Sequence, residues 1–198
     1  MLVGLGTFLV AVSGSNCCTD LLHLSESYRS IALRDPLTGI LNRRGFVEAV
    51  RLELSRTRRN LQPFTIAFFD IDNFKDINDT YGHPHGDKLL QFVGQVCMKT
   101  FRKSDCVARF GGDEFCVLFP QTTKEEATHI VDRFCDVLKA LTAQQGVTIE
   151  LSAGLASFPE DGQDLPTLLH RADEIMYASK RQSRRHDLEE KPPTAQTN

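Results

Sequence analysis

Arg109-Phe110-Gly111-Gly112-Asp113-Glu114-Phe115, RFGGDEF, sets two glycines and two adjacent carboxylates between apolar runs. DCVARF leads into the glycines and FCVLFP follows the acids, and both flanks carry β-formers, so the glycine pair marks a tight hairpin turn. The carboxylates then open the second strand, where period-2 geometry sends Asp113 and Glu114 to opposite faces. They are not two copies of one function, and at least one of them needs a partner.

The nearest candidate partner lies upstream. Residues 63–70, PFTIAFFD, read as a strand buried on both faces, and Asp70 and Asp72 share a face if the strand extends that far. Carboxylates at a buried strand end are expensive unless something cationic meets them. If this strand lies beside the hairpin, Asp70 and either Asp113 or Glu114 converge on a divalent cation. A few hard oxygen ligands, completed by substrate phosphates, are what Mg²⁺ prefers. The alternative is a cluster of solvated loop acids.

Further out, residues 43–60 place Phe46, Val50 and Leu54 at i, i+4 and i+8, an amphipathic helix. Helices are also expected over 85–101, 123–143 and 164–182, the last with Leu165, Leu168, Leu169, Ala172 and Met176 on one face. Residues 147–158 read as a further strand. This order predicts an α/β chain, an α+β sandwich of ferredoxin-like kind with a mainly antiparallel central sheet flanked by helices. Before it, residues 20–34 carry Leu21, Leu24, Tyr28 and Ile31 in a heptad-like stripe, a linker helix broken by Asp35-Pro36-Leu37-Thr38-Gly39. Residues 187–198 are expected to be a disordered tail.

With 198 residues, 41% hydrophobic and 25% charged, the chain holds one full core. A net charge of -3 gives no nucleic-acid footprint, and a small phosphorylated ligand suits the local basic cluster SKRQSRRH better. The six cysteines form no C-x-x-C pair and read as reduced core thiols. The apolar start within residues 1–19 falls short of the roughly 20 residues that span a bilayer and has no basic residue ahead of it. It reads as the stub of a longer hydrophobic segment or a shortened gene start. A cytoplasmic location follows, at the inner face of the cell membrane if a longer segment attaches it there.

DPLTGILNRRGF (35–46), FDIDNFKDINDTYGHPHGD (69–87), RFGGDEF (109–115) and ADEIMYASK (172–180) resemble, in order and spacing, the GGDEF-domain diguanylate cyclases of bacteria. The resemblance implies a nucleotide-cyclase-like catalytic domain over 35–186. Each domain would bind one GTP, and a homodimer would condense two GTPs into cyclic di-GMP with release of two pyrophosphates. It implies Mg²⁺ or Mn²⁺ held by Asp70, the backbone carbonyl of Ile71, and Asp113. Glu114, the next acid, would join the metal site or accept the hydroxyl proton.

By the same carry-over, Asn78 and Asp87 select guanine, whose N1-H and 2-amino group suit a carboxylate acceptor; helix or turn capping is the plainer alternative for both. Gly111 and Gly112 would let the backbone approach the nucleotide, and N-H groups around Asn73 and Phe74 would cradle its terminal phosphates. Lys75, Lys180 and Arg184 would supply positive charge. The family commonly has Gly-Arg-Asn after the last lysine, and Ser183-Arg184-Arg185 departs from it. His83-Pro84-His85 reads as turn rather than metal ligand. Arg102-Lys103-Ser104-Asp105 stands where the family carries an R-x-x-D product-binding site, although a basic helix end before a strand would use the same residues. An active cyclase with product inhibition is the leading reading. A catalytically silent GTP or cyclic di-GMP binding module and a pure dimerisation module are its rivals.

Overall fold

The fold is seen in a computed structural model that describes residues 32–60, 62–144 and 146–190, without the side chains of residue 58 and of 182–190. The N-terminal stub, nearly all of the linker helix and residues 191–198 of the expected tail lie outside the described residues. The described strands are β1 (Leu41–Asn42), β2 (Phe64–Ile71), β3 (Cys106–Gly111), β4 (Glu114–Pro120) and β5 (Leu151–Phe158). The helices are α1 (Arg43–Asn60), α2 (Phe74–Tyr81), α3 (His83–Thr100), α4 (Lys124–Ala143) and α5 (Leu165–Glu190). No helix among the described residues is long and apolar enough to cross a membrane.

The sheet order is β1-β3-β4-β2-β5, antiparallel throughout except for the parallel pair β1–β3. β2–α3–β3–β4–α4–β5 in the spatial order β5-β2-β4-β3 is the expected ferredoxin-like arrangement. The short edge strand β1 and the helices α1, α2 and α5 are additions to it.

Alternation along β2 builds two cores. Ala67, Phe69 and Ile71 join Leu89, Leu90 and Val93 of α3 and Val131, Phe134 and Leu138 of α4 on one face. Phe64, Ile66 and Phe68 join Phe46 and Val50 of α1 and Leu168, Ala172 and Met176 of α5 on the other. The helices start where local chemistry satisfies their free N-H groups: Asn42 Oδ1 accepts from Gly45 at 2.9 Å, Thr123 and Glu126 form a capping box, and Asp164 Oδ1 accepts from Thr167 at 2.8 Å.

Several boundaries differ from the sequence reading. β5 begins at Leu151, and residues 147–150 run to it without strand pairing. His83-Pro84-His85 is the first turn of α3, where a proline costs no hydrogen bond. α5 continues through Ser183, Arg184 and Arg185 to Glu190, so residues 187–190 are helix rather than tail. Without the family's glycine the helix has no stop there. Cys97 and Cys116 are free and buried and Cys106 and Cys135 half-buried, as core thiols should be; burial pushes the Cys135 thiol up to about 11.

Candidate active site

β2 and β4 pair in antiparallel register with Asp70 opposite Glu114. Even-numbered residues of both strands face α5, so these two carboxylates stand side by side on the face that α5 covers. The turn is one residue later than expected: Gly111 pairs with Glu114, and Gly112 and Asp113 form the two-residue loop. Gly112 has φ 51°, the left-handed conformation that a primed hairpin turn with glycine first requires. Asp113 therefore sits at the tip rather than on the strand, with its carbonyl accepting from Ile71 N-H at 3.4 Å.

Across the cluster, Lys180 of α5 donates its ammonium to Asp70 Oδ1; both side chains are largely buried, at 16% and 11% exposure. Burial raises the pKa of Asp113, and the Asp70 charge adds to it; Glu114 is raised by burial, Asp70, Asp113 and Asp173 in that order. Asp72 lies past the strand end, where its Oδ1 accepts from Ser152 at 2.7 Å; burial raises it despite that bond. Lys180 opposes all three shifts and Arg109 joins it at Asp113, and among the described residues the acids of the cluster outnumber these two cations.

Among the described residues no group of three or more His, Cys, Asp or Glu side chains is arranged to hold a metal ion by itself. The donor set nevertheless fits an open divalent site: hard carboxylate oxygens from Asp70 and Asp113 with Glu114 beside them, under-compensated in charge, next to the carbonyl of Ile71.

The nucleotide-facing candidates gather at the same end. Asn73 follows Asp72 with φ 56° and ψ 25°, and starts α2, whose first N-H groups have no intrahelical acceptor. Phe74 packs on the core, and Lys75 is exposed. Asn78 lies in α2 with its Oδ1 buried and unpartnered. Asp87 is exposed on α3, four residues inside its start, and neither it nor Asn78 caps a helix, since the α3 N-cap position is Gly82. Gly111 and Gly112 are exposed with open space where a Cβ would stand. Arg184 is on α5, its side chain outside the described set.

Arg102–Asp105 is a turn after α3 rather than its basic last turn. Asp105 Oδ2 accepts from Arg102 N-H at 2.8 Å and Oδ1 from Ser104 at 3.2 Å, while the Arg102 side chain is exposed. It lies away from the carboxylate cluster, at the opposite end of β3 from Gly111.

Three participants escaped the sequence reading. Arg109 ties the hairpin to Asp35, Ser152 fixes Asp72, and Asp173 faces Glu114. Asp173 had a readable signal, standing two helical turns before Lys180 on the same face of α5. The pairings made by Arg109 and Ser152 had none.

Residues 32–186 match the family model described as diguanylate cyclase, GGDEF domain. The chain belongs to the GGDEF-domain family of diguanylate cyclases. Diguanylate cyclase DgcP of Pseudomonas aeruginosa is 37% identical over 162 residues, covering 80% of this chain and 24% of that protein. Cyclic di-GMP phosphodiesterase NbdA of the same organism is 38% identical over 160 residues, 80% of this chain and 20% of that one. The chain thus spans a quarter or less of these two relatives. The coiled-coil and GGDEF domain structure of DgcB from Caulobacter crescentus, solved in complex with c-di-GMP, superposes with a TM-score of 0.76 at 25% identity, over 89% of this chain and 95% of that one.

Proposed function

We propose that this domain is a working diguanylate cyclase, joining two GTPs into cyclic di-GMP and two pyrophosphates. The observation that carries the reading is the register of Asp70 against Glu114, which gathers three carboxylates and one lysine at the end of the sheet beside the glycine turn. A silent relative has no need to maintain so costly a cluster.

Asp70, Asp113 and the Ile71 carbonyl would hold Mg²⁺ or Mn²⁺. That ion, when bound, offsets charge on the phosphate oxygens and acidifies the attacking 3′-hydroxyl. Glu114, its pKa raised by burial and neighbouring acids, would accept the hydroxyl proton or join the metal site. The N-terminus of α2, with Lys75, Lys180 and Arg184, receives the phosphates as the attack on the α-phosphate proceeds. Asn78 and Asp87 read the guanine edge. Each domain supplies half of the reaction, so two copies must face one another. The Arg102–Asp105 turn, with its carboxylate already oriented, binds product and restrains turnover. Membrane attachment would come only through a longer N-terminal segment.

The second reading, a silent GTP or cyclic di-GMP binding module, draws on one observation: a relative 38% identical carries the name of a phosphodiesterase. Incubation of the purified chain with GTP and Mg²⁺, followed by chromatography of the nucleotides, separates the two. Cyclic di-GMP and pyrophosphate should accumulate, and ATP in place of GTP should give neither cyclic di-AMP nor pyrophosphate. GTP binding without any product would establish the silent module instead.

A further inference from the structure

Gly86 is buried in the first turns of α3, and a Cβ placed on it would stand 2.0 Å from Asn78 Oδ1, 3.0 Å from Asn78 Cγ and 3.1 Å from Phe74 Cζ. That Oδ1 is shielded from solvent and has no hydrogen-bond partner. A buried amide oxygen without a partner is uncommon, and among the described residues packing rather than a hydrogen bond holds this one in place. We propose that Gly86 is the positioning residue for guanine recognition: its missing side chain is the slot that seats the Asn78 carboxamide against α3, one residue from Asp87. The inference rests on the reading of Asn78 and Asp87 as the guanine-binding pair and adds what orients the amide.

The backbone cannot easily yield to a methyl group here. α2 and α3 are joined through the single residue Gly82, with φ 82° and ψ 156°, whose N-H donates to the Asn78 carbonyl at 2.8 Å. Phe74 and Ile77 of α2 pack against the core that also holds Leu89 and Leu90 of α3. The end of the Asn78 side chain is the softest atom group in contact, so a Cβ at residue 86 moves that amide rather than the helices. With Oδ1 enclosed, the amide's other polar end is the one left to meet a base. Alanine is otherwise the better residue inside a helix, so the glycine has a steric reason to be there.

The test compares wild type, Gly86→Ala, Asn78→Ala, Asp87→Ala and the Gly86→Ala/Asn78→Ala double variant, reading GTP affinity by calorimetry with Mg²⁺ and 3′-deoxy-GTP, which lacks the attacking hydroxyl, together with steady-state KM and kcat on GTP and thermal midpoint. Gly86→Ala should weaken GTP binding about tenfold, as loss of an oriented hydrogen bond does. KM should rise while kcat at saturating GTP stays within about threefold, since the carboxylates are untouched. Its thermal midpoint should be no lower than wild type. In the Asn78→Ala background, where the methyl has room, the second substitution should change affinity by no more than about twofold. Wild-type GTP affinity in Gly86→Ala overturns the proposal, as do effects that add in the double variant, because the glycine then acts on the backbone. If Asn78→Ala and Asp87→Ala both bind GTP as wild type does, the guanine reading itself falls. Weakening in those two but not in Gly86→Ala removes only the present inference.

Discussion

Arg109 and Asp35, 74 residues apart in the chain, form an ion pair with Nη1 3.2 and 3.3 Å from the two carboxylate oxygens. The same guanidinium donates through Nε to the Gly112 carbonyl at 2.9 Å. Asp35 also accepts from the Thr38 N-H at 2.9 Å and hydroxyl at 2.7 Å. One side chain thus joins the turn that opens the domain to the turn that presents Asp113.

Asp35→Ala should cost about 2 kcal/mol of stability, the scale of charge-assisted hydrogen bonds lost from a partly buried site. Burial alone would raise the Asp35 pKa, but the Thr38 and Arg109 bonds outweigh it and hold the carboxyl below its ordinary 3.8. A depressed carboxylate contributes stability above its unfolded value and loses it as the pH falls through the folded one. Urea unfolding of wild type and variant should therefore differ at neutral pH and converge in strong acid. An equal gap at both would show that the pair contributes nothing through charge.

Asp70→Ala and Asp113→Ala should each lower cyclic di-GMP formation about 10²-fold or more, as loss of transition-state charge partners does. Both variants should also lose the thermal stabilisation that saturating Mg²⁺ or Mn²⁺ gives wild type. Near-normal turnover in Asp70→Ala would remove it from the metal site.

Gly154 on β5 lies directly beneath α5, and a Cβ there would stand 2.0 Å from the Ala172 carbonyl oxygen and 2.3 Å from Met176 N. These are backbone atoms, so the helix itself has to move. Gly154→Ala should destabilise the domain by about 1–3 kcal/mol, the cost of overpacking. It should also lower turnover, because α5 carries Lys180 to Asp70. Paired thermal melts and rates would check this, and an unchanged melt would mean that α5 tolerates the shift.

Arg102→Ala should weaken cyclic di-GMP binding by about 10- to 100-fold, in line with 1.5–3 kcal/mol for a charge-assisted hydrogen bond. The initial rate with GTP should barely change, since the turn lies at the far end of β3 from the glycines. Progress curves with added product should stall for wild type and continue for the variant; equal inhibition would place the product elsewhere.

Specific activity should rise with protein concentration until two domains face each other. A dilution series followed in parallel by light scattering checks it, and flat activity across the monomer-to-dimer range would contradict a shared site.

Much of this was legible locally. α1, with Phe46 and Val50 fully buried, and α4, opened by its capping box, carry their periodicity and start signals within a few turns of chain. β2 is a continuous apolar run, and all eight of its residues are buried. The acids of the cluster stood out because a carboxylate ending such a run requires an explanation. α2 did not: its stripe of Phe74, Ile77 and Tyr81 is confined to eight residues, too short a run to stand out, and none of its residues is fully buried. β1 is two residues long and is a strand only through its pairing with β3.

The amino-acid sequence by itself determined which segments could be helix or strand, where carboxylates and glycines would concentrate, and which family the spacing resembled, because periodicity, turn chemistry and motif spacing are properties of neighbours along the chain. Tertiary structure alone decided that Asp70 stands opposite Glu114, that Lys180 reaches Asp70 from 110 residues away, that Arg109 holds Asp35, and that Gly86 seats Asn78. Each of these depends on strand register or on how closely two elements approach. Register and approach are set by the packing of both faces of the sheet together, which no local stretch of residues encodes.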